Sequence, residues 1–370
     1  MAPSGKERRS RRPNIHDVAA RAGVSAGTVS NVLTGRRAVV PALSARVRAA
    51  VAKLGYVTDG AASHLRSSQS TVVGVLVPDL TNRFFASFVG LVECLVRADG
   101  YRVLVASSGV DGAMEAAELR ALTAWKPAGL IVIPCEDRFA SRAVLARTGI
   151  PVVVADRFDE HSACDAVGTD NADAVSQATA HLLELRHRRV LVVASTLDLH
   201  NVRQRVAGAR AAFAARARAG APEVIEVGSG LEPAAEALLA RLGRAPAPTA
   251  IVALTNTATL AALKALSRRG LRVPEDISLV GFDDDDWMEV VRPAITAVRQ
   301  PMADLARTAW RRLRERLAGD RSRSVRVQLP CTLVLRDSTA ACAGGRPDRH
   351  NRTAARSRGT VAQPASRRTT

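Results

Sequence analysis

Aromatic side chains are scarce in this sequence: 370 residues hold three Trp, two Tyr and seven Phe. Such a chain must build its cores from aliphatic residues, and each ring outside an apolar pattern is worth locating. Cysteine is sparse as well. Cys94, Cys135, Cys164, Cys331 and Cys342 are odd in number and never in C-x-x-C spacing, which argues against a disulfide framework or zinc cluster and fits a reducing cytoplasm. No apolar run approaches the ~18 residues of a membrane span, and the opening MAPSGKERRSRRP has no apolar signal region. We expect a soluble, cytoplasmic protein. A P-loop and a G-x-S-x-G elbow are absent, and GSGLEP at 228–233 lacks the third glycine of G-x-G-x-x-G. That argues against an enzyme built on a Rossmann-type sheet.

Acidic residues are also in deficit, 35 against 53 Lys and Arg, for a net charge of +18. The excess is uneven. Residues 1–70 hold 12 basic and 3 acidic side chains, net +9, and residues 341–370 hold 7 Arg and one Asp, net +6, which leaves 18 − 9 − 6 = +3 for the 270 residues between. A near-neutral body with a basic head points to a polyanion partner at the N-terminus. The length implies two or three domains.

The head reads as three short helices. Asn14 can cap a helix that starts at Ile15, with Asp17 in its first turn, and Ile15, Val18, Ala19 and Ala22 form one buried stripe. Gly23 suits a left-handed helix end, and Ser25 caps the next helix two residues later, the geometry of a helix-turn-helix. A third helix begins near Pro41, buries Val47, Val51 and Leu54, and stops at Gly55.

From Thr71 onward, short apolar β-rich runs alternate with helices of ~10–15 residues, the pattern of parallel sheets covered on both faces. The first series is TVVGVLVP, YRVLVAS, GLIVIP and PVVVADR; the second is DAVGTD, RRVLVVAS, PEVIEVG, TAIVALT and ISLVGFDD. Two such series suggest two similar lobes. ITAVRQP, a helix near 302–318 and SVRVQLPCTLVLRDS complete them by crossing back. Beyond Ala340 the Arg-rich tail shows no periodicity, and we expect disorder and nonspecific polyanion contact there.

NIHDVAARAGVSAGTVSNVLTG, followed by LGY at 54–56, resembles the DNA-binding headpiece of the lactose/galactose-repressor (LacI/GalR) family of bacterial regulators, and the likeness runs to about residue 338. It implies an α/β protein with an N-terminal helix-turn-helix headpiece and a two-lobed periplasmic-binding-protein-like core of parallel sheets. The implied domains are a basic arm at 1–12, the headpiece at 13–58, a hinge at 59–69, the core at 70–340 and the tail at 341–370. Within the core, 70–163 and 295–322 would form the N-lobe, and 164–294 and 323–340 the C-lobe.

The resemblance also implies partners and sites. The partners are duplex operator DNA with an inverted repeat, a small effector of the sugar class, and a second copy in a dimer or tetramer. Base-reading side chains fall at Ala26, Gly27 and Asn31, of which only Asn31 can make a bidentate pair. Ser25 caps the helix, while Thr28 and Ser30 would hold phosphates. In the hinge, GAASHLRS at 60–67, Leu65 would wedge into the minor groove beside Arg66. Thr58-Asp59 and Ser63-His64 depart from the family pattern there.

In open α/β sheets ligands bind beyond the carboxyl ends of the strands. PDLTNRFF at 78–85 corresponds to a family PDxxNPFF motif with Arg83 in place of Pro. Asn82 would hydrogen-bond the ligand, and Phe84 and Phe85 would line the pocket, core packing being an equal alternative. Arg205 in RQRVAG matches the family's ligand-binding arginine. Asp283 in GFDDDDW matches its ligand-holding aspartate, Trp287 offers a wall to an apolar ring face, and Asn256 stands where the family has Asp. Asp170-Asn171 matches a pair that can cap a helix. Adjacent aspartates diverge, so no metal is expected at the acidic run, nor any cofactor. A solute-binding protein and a Rossmann-type enzyme are the alternatives to a ligand-controlled repressor.

Overall fold

The computed structural model describes residues 13–34, 37–56, 70–136, 139–145, 148–158, 163–216 and 220–342. The basic arm, hinge residues Leu65 and Arg66, and nearly all of the basic tail lie outside the described residues. No described helix is long and apolar enough to cross a membrane.

The headpiece consists of α1 (Ile15–Ala22), α2 (Ala26–Thr34) and α3 (Pro41–Leu54). Asn14 and Asp17 form a reciprocal capping box: Asn14 Oδ1 accepts from the backbone of Asp17, and Asp17 accepts from Asn14 N at 2.7 Å. Gly23 takes φ 61°, where only glycine turns without strain, and its N–H closes α1. Ser25 Oγ then accepts from Thr28 N at 3.1 Å to open α2. Val18, Ala19, Ala22, Val29, Val47 and Ala50 are the buried core, with Ile15, Val51, Leu54 and Tyr56 packed around it.

The larger body contains two six-stranded sheets. The first uses β1 (Val72–Val77), β2 (Arg102–Ser107), β3 (Gly129–Val132), β4 (Val152–Ala155), β5 (Asp165–Thr169) and β11 (Arg326–Leu329) in the order β11-β5-β4-β3-β1-β2, all parallel. The second uses β6 (Val190–Ala194), β7 (Glu223–Glu226), β8 (Ala250–Ala253), β9 (Ser278–Phe282), β10 (Thr296–Arg299) and β12 (Thr332–Val334) in the order β12-β10-β9-β8-β6-β7, with only β12 antiparallel. Helices α4 (Arg83–Ala98), α5 (Gly112–Ala124) and α11 (Met302–Leu317) cover the first sheet. Helices α6 (Asn171–Glu184), α7 (His200–Ala214), α8 (Leu231–Leu242), α9 (Asn256–Arg269) and the short α10 (Trp287–Val290) cover the second.

The lobe boundaries differ from the sequence expectation. DAVGTD is the fifth strand of the first sheet rather than the start of the second, and ITAVR belongs to the second sheet rather than the first. The chain crosses between lobes near Asp170, Gln300 and Pro330, and β11 returns to the first sheet while β12 joins the second. All these strands are short and apolar, so composition does not say which open sheet edge each will pair with.

Two packing features hold the lobes. In the first, Asp165 accepts from Arg316 Nε at 2.7 Å, Arg312 Nη2 at 3.1 Å and Val325 N at 2.8 Å, which ties α11 and β11 to the start of β5. In the second, a Cβ on Gly208 would lie 2.0 Å from the carbonyl oxygen of Ala172, so glycine is what allows α7 to close on α6. His187 is buried, its ring bridging Thr249 Oγ1 at 3.0 Å and Ala340 O at 2.9 Å.

Candidate nucleic-acid interface and interlobe ligand site

On α2 the outward face carries Ser25, Gly27 and Ser30, all exposed, with Thr28 and Asn31 half-buried beside them. Thr28 Oγ1 lies 3.0 Å from Ser25 Oγ, so the two hydroxyls form one polar spot at the helix start. Ala26 is half-buried and packs on the headpiece core. Its methyl is therefore partly committed to folding, which the sequence alone does not reveal. A Cβ on Gly27 would meet nothing nearer than Ser25 Oγ at 3.7 Å. Arg46 reaches from α3 to donate to Gly23 O at 3.4 Å, setting a cation over the turn.

The second site lies between the two lobes at the carboxyl ends of their strands, and it has two chambers. The inner one, about 50 Å³, is lined by Asn82, Phe84, Arg205, Asn256, Asp283 and Gln300 among others. Several of its polar groups hold one another. Asn82 caps α4 by accepting from Phe84 N at 3.0 Å, and the same oxygen accepts from Asn256 Nδ2 of the other lobe at 3.0 Å. Asn256 N, at the start of α9, donates to Asp283 Oδ2 at 3.1 Å. Gln300 Nε2 donates to Asp283 Oδ1 at 2.6 Å, and Thr169 Oγ1 donates to Gln300 Oε1 at 3.2 Å.

Arg205 is buried. Its Nε donates to Asn171 Oδ1 and its Nη1 to Leu254 O, both at 2.7 Å, and its guanidinium lies 3.8 Å from the centre of the Phe282 ring. Burial pushes the Asp283 carboxyl above the usual carboxylate range, opposed by Arg205, Gln300 and the Asn256 N–H. Asp283 and Asp284 both take left-handed backbone, φ 79° and 50°, a conformation costly for residues with a side chain.

The outer chamber, about 1190 Å³, is lined by Asp79, Thr81, Asp198, Arg203 and Thr257, and shares Asn82, Phe85, Arg157 and Thr255 among others with the inner one. Phe85 and Phe84 meet edge to face at 5.3 Å, and Arg157 lies 5.2 Å over the Phe85 ring. Cys135 lines this chamber too, but burial and the neighbouring Glu115 push its thiol up to about 12, so it is no thiolate at neutral pH.

The candidates brought together are thus Asn82, Phe84, Phe85, Arg205, Asn256 and Asp283. Trp287 is not among them: it packs on the core of the second lobe and lines neither chamber. Asp170 makes no side-chain cap on α6 and instead accepts from Cys331 N at 2.8 Å at the crossover. The acidic run diverges: Asp283 faces inward, Asp284 pairs with Arg299 and Arg336, and Asp286 pairs with Arg83 across the cleft at 2.6 Å. Among the described residues no group of three His, Cys, Asp or Glu could hold a metal ion. Gln300, Arg157, Asp156 and Asn201 are lining residues that sequence reading missed. For Arg157 a signal existed, since it follows the strand PVVVAD as Asp283 follows its own strand. Gln300 gave none, because its place depends on β10 joining the second sheet.

A three-helix headpiece of helix-turn-helix form, in one chain with a two-lobed α/β body that carries a cleft at the strand ends, defines a DNA-binding regulator with a ligand domain. Residues 14–59 match the bacterial regulatory proteins of the lacI family, and residues 179–339 match the periplasmic binding protein-like domain. The regulator PtxS of Pseudomonas plecoglossicida is 35% identical over 329 residues, 89% of this chain and 96% of that protein. The lac repressor dimer bound to operator and the anti-inducer ONPF superposes with a TM-score of 0.79 at 25% identity, over 90% of this chain and all of the other. The complex of the regulator CelR with cellobiose gives 0.65 at 29% identity, over 88% and 100%. The chain belongs to the lacI family and is a DNA-binding transcriptional regulator.

Proposed function

We propose that the chain is a repressor of the bacterial cytoplasm that binds an inverted-repeat operator as a homodimer, and that a small hydroxylated ligand, a sugar or related metabolite, sets its operator affinity. The observation that carries the ligand reading is the hydrogen bond from Asn256 in one lobe to Asn82 in the other, beside Arg205 and Asp283. A ligand hydroxyl inserted there exchanges a direct lobe-to-lobe bond for a bridged one, so ligand binding and lobe arrangement share one free energy. Arg205 and Asp283 are the donor and acceptor for ligand oxygens, Asn82 and Asn256 the adaptable amides, and Phe84 and Phe85 the apolar wall. On DNA, Asn31 reads a base, Thr28 and Ser30 hold phosphates, and Leu65 with Arg66 enters the minor groove. Residues 13–58, 59–69 and 70–340 act as headpiece, hinge and regulatory core. No residue is assigned a catalytic role.

The test has two parts. Selection on randomised duplexes with full-length protein is expected to return an inverted repeat bound by a dimer; asymmetric single sites bound by a monomer in sedimentation would remove the reading. Asp283→Ala should then abolish the response of operator binding to a panel of sugars while leaving operator binding itself measurable. An unchanged response would refute the pocket assignment.

A further inference from the structure

The two chambers of the cleft differ in what they can admit. Fifty cubic ångströms holds a water, or a single ligand hydroxyl, and no sugar ring, and Asn82, Asn256, Asp283 and Gln300 around it are already hydrogen-bonded to one another. The outer chamber, at about 1190 Å³, exceeds the ~300–1,000 Å³ usual for small-molecule sites. This space is not simply the gape of separated lobes. The Asn256–Asn82 bond and the Arg83–Asp286 pair span the cleft at 3.0 and 2.6 Å, so the volume persists with the lobes in contact.

Its direction is also defined. From Asn82 and Thr255, which line both chambers, it runs outward past the ends of β1 and β6 to Val110, beyond β2, and Ser229 and Leu231, beyond β7. Strands β2 and β7 are the outermost of their sheets, so the chamber spans the full width of that side of the cleft, with strands ~4.8 Å apart. Along its outer part Val110, Leu231 and Leu260 stand 50%, 38% and 39% exposed among polar neighbours. Apolar side chains lining a polar cleft offer contact to the C–H faces of sugar rings. The charges show no cationic excess: Asp79, Glu136 and Asp198 oppose Arg157 and Arg203. An anionic ligand gains nothing from that balance.

We propose that the effector is a neutral oligosaccharide or glycoside of at least two rings, one end anchored beside Asn82 and Thr255 and the other lying against Leu231, Leu260 and Val110. This rests on the sugar-effector reading above and narrows it. Titration calorimetry on the full-length protein, with a panel of gluco-, galacto- and manno-configured di- and trisaccharides against glucose, galactose, mannose and gluconate, tests it. At least one oligosaccharide should bind tenfold or more tightly than any single-ring compound, roughly 1.4 kcal/mol. Leu231→Ser and Leu260→Ser should each weaken that oligosaccharide by about threefold to tenfold and leave operator binding unchanged, their side chains being partly exposed and outside the DNA-binding headpiece. A monosaccharide or gluconate bound as tightly as every oligosaccharide, with both Leu variants indifferent, overturns the inference and leaves the sugar-effector reading standing. If no sugar of either size binds and none alters operator binding, both fall together.

Discussion

Gly27 of the headpiece and Gly208 of the second lobe both stand inside helices, where glycine costs about 1 kcal/mol relative to alanine. Their surroundings are opposite. A Cβ at Gly27 meets only Ser25 Oγ at 3.7 Å, whereas one at Gly208 would collide with a backbone carbonyl at 2.0 Å. The first glycine stands in open space on an exposed helix face; the second is required by the protein's own packing. The same contrast separates the two regions as wholes. Among its described residues the headpiece buries only Val and Ala, six in all, and has little stability to spare. The first lobe alone buries Phe84, Phe85, Phe88 and Trp310 against its sheet, and it can carry strained or charged groups in a cleft.

Removing a group from the cleft should have the largest effect. Arg205→Ala leaves the buried acceptors Leu254 O and Asn171 Oδ1 without their donor, and is expected to cost the core about 2–5 kcal/mol in calorimetric unfolding. A loss below ~1 kcal/mol would mean that water replaces the guanidinium and that the contrast between a rigid cleft and a slight headpiece is overstated.

Next in size is Asp165→Asn, at about 1.5–3 kcal/mol near neutral pH. Burial raises this carboxyl's pKa, but Arg316, the Val325 N–H and Arg312 outweigh it and leave the pKa lowered. A folded pKa below the unfolded one gives stability that is fully present above the unfolded carboxylate range, ~4, and is lost as pH falls through the folded value. Wild type should therefore lose its advantage over the Asn variant on acidification. A difference that stays constant from pH 7 to pH 3 would show that the charge is irrelevant.

The paired glycine substitutions follow. Gly208→Ala should destabilise the core by about 1–3 kcal/mol through overpacking, while Gly27→Ala should raise headpiece stability by up to ~1 kcal/mol. Melting both variants separates a packing role from a surface role, and equal signs would break the comparison. The smallest effect belongs to Arg83. Its pair with Asp286 is exposed, so Arg83→Ala should cost about 0–1 kcal/mol and the cost should vanish in high salt. A salt-independent loss would give that cross-cleft pair a weight its exposure does not predict.

The local elements were legible because they are written in local signals. Asn14, Asp17, Gly23 and Ser25 mark the helix-turn-helix by capping chemistry that acts within three residues, and the alternation of short apolar runs with helices announces parallel sheets. The cleft candidates Asn82, Arg205, Asn256 and Asp283 were pointed to by the family resemblance, and the structure brings them together at one inner chamber. Trp287 was misleading because an aromatic after a strand can turn toward either the cleft or the core, and here the core took it.

The sequence by itself determined what each segment becomes: period, caps and turns are set by neighbours along the chain, and they specified helices, strands and a DNA-binding head. Only the tertiary structure decided which sheet DAVGTD and ITAVR join, that Ala26 turns its methyl to the headpiece core, and that the family-matched polar groups satisfy one another around a chamber too small for a ring. Those outcomes depend on which sheet edges and side chains meet across long stretches of chain, and residues distant in sequence carry no local signal of the space they will share.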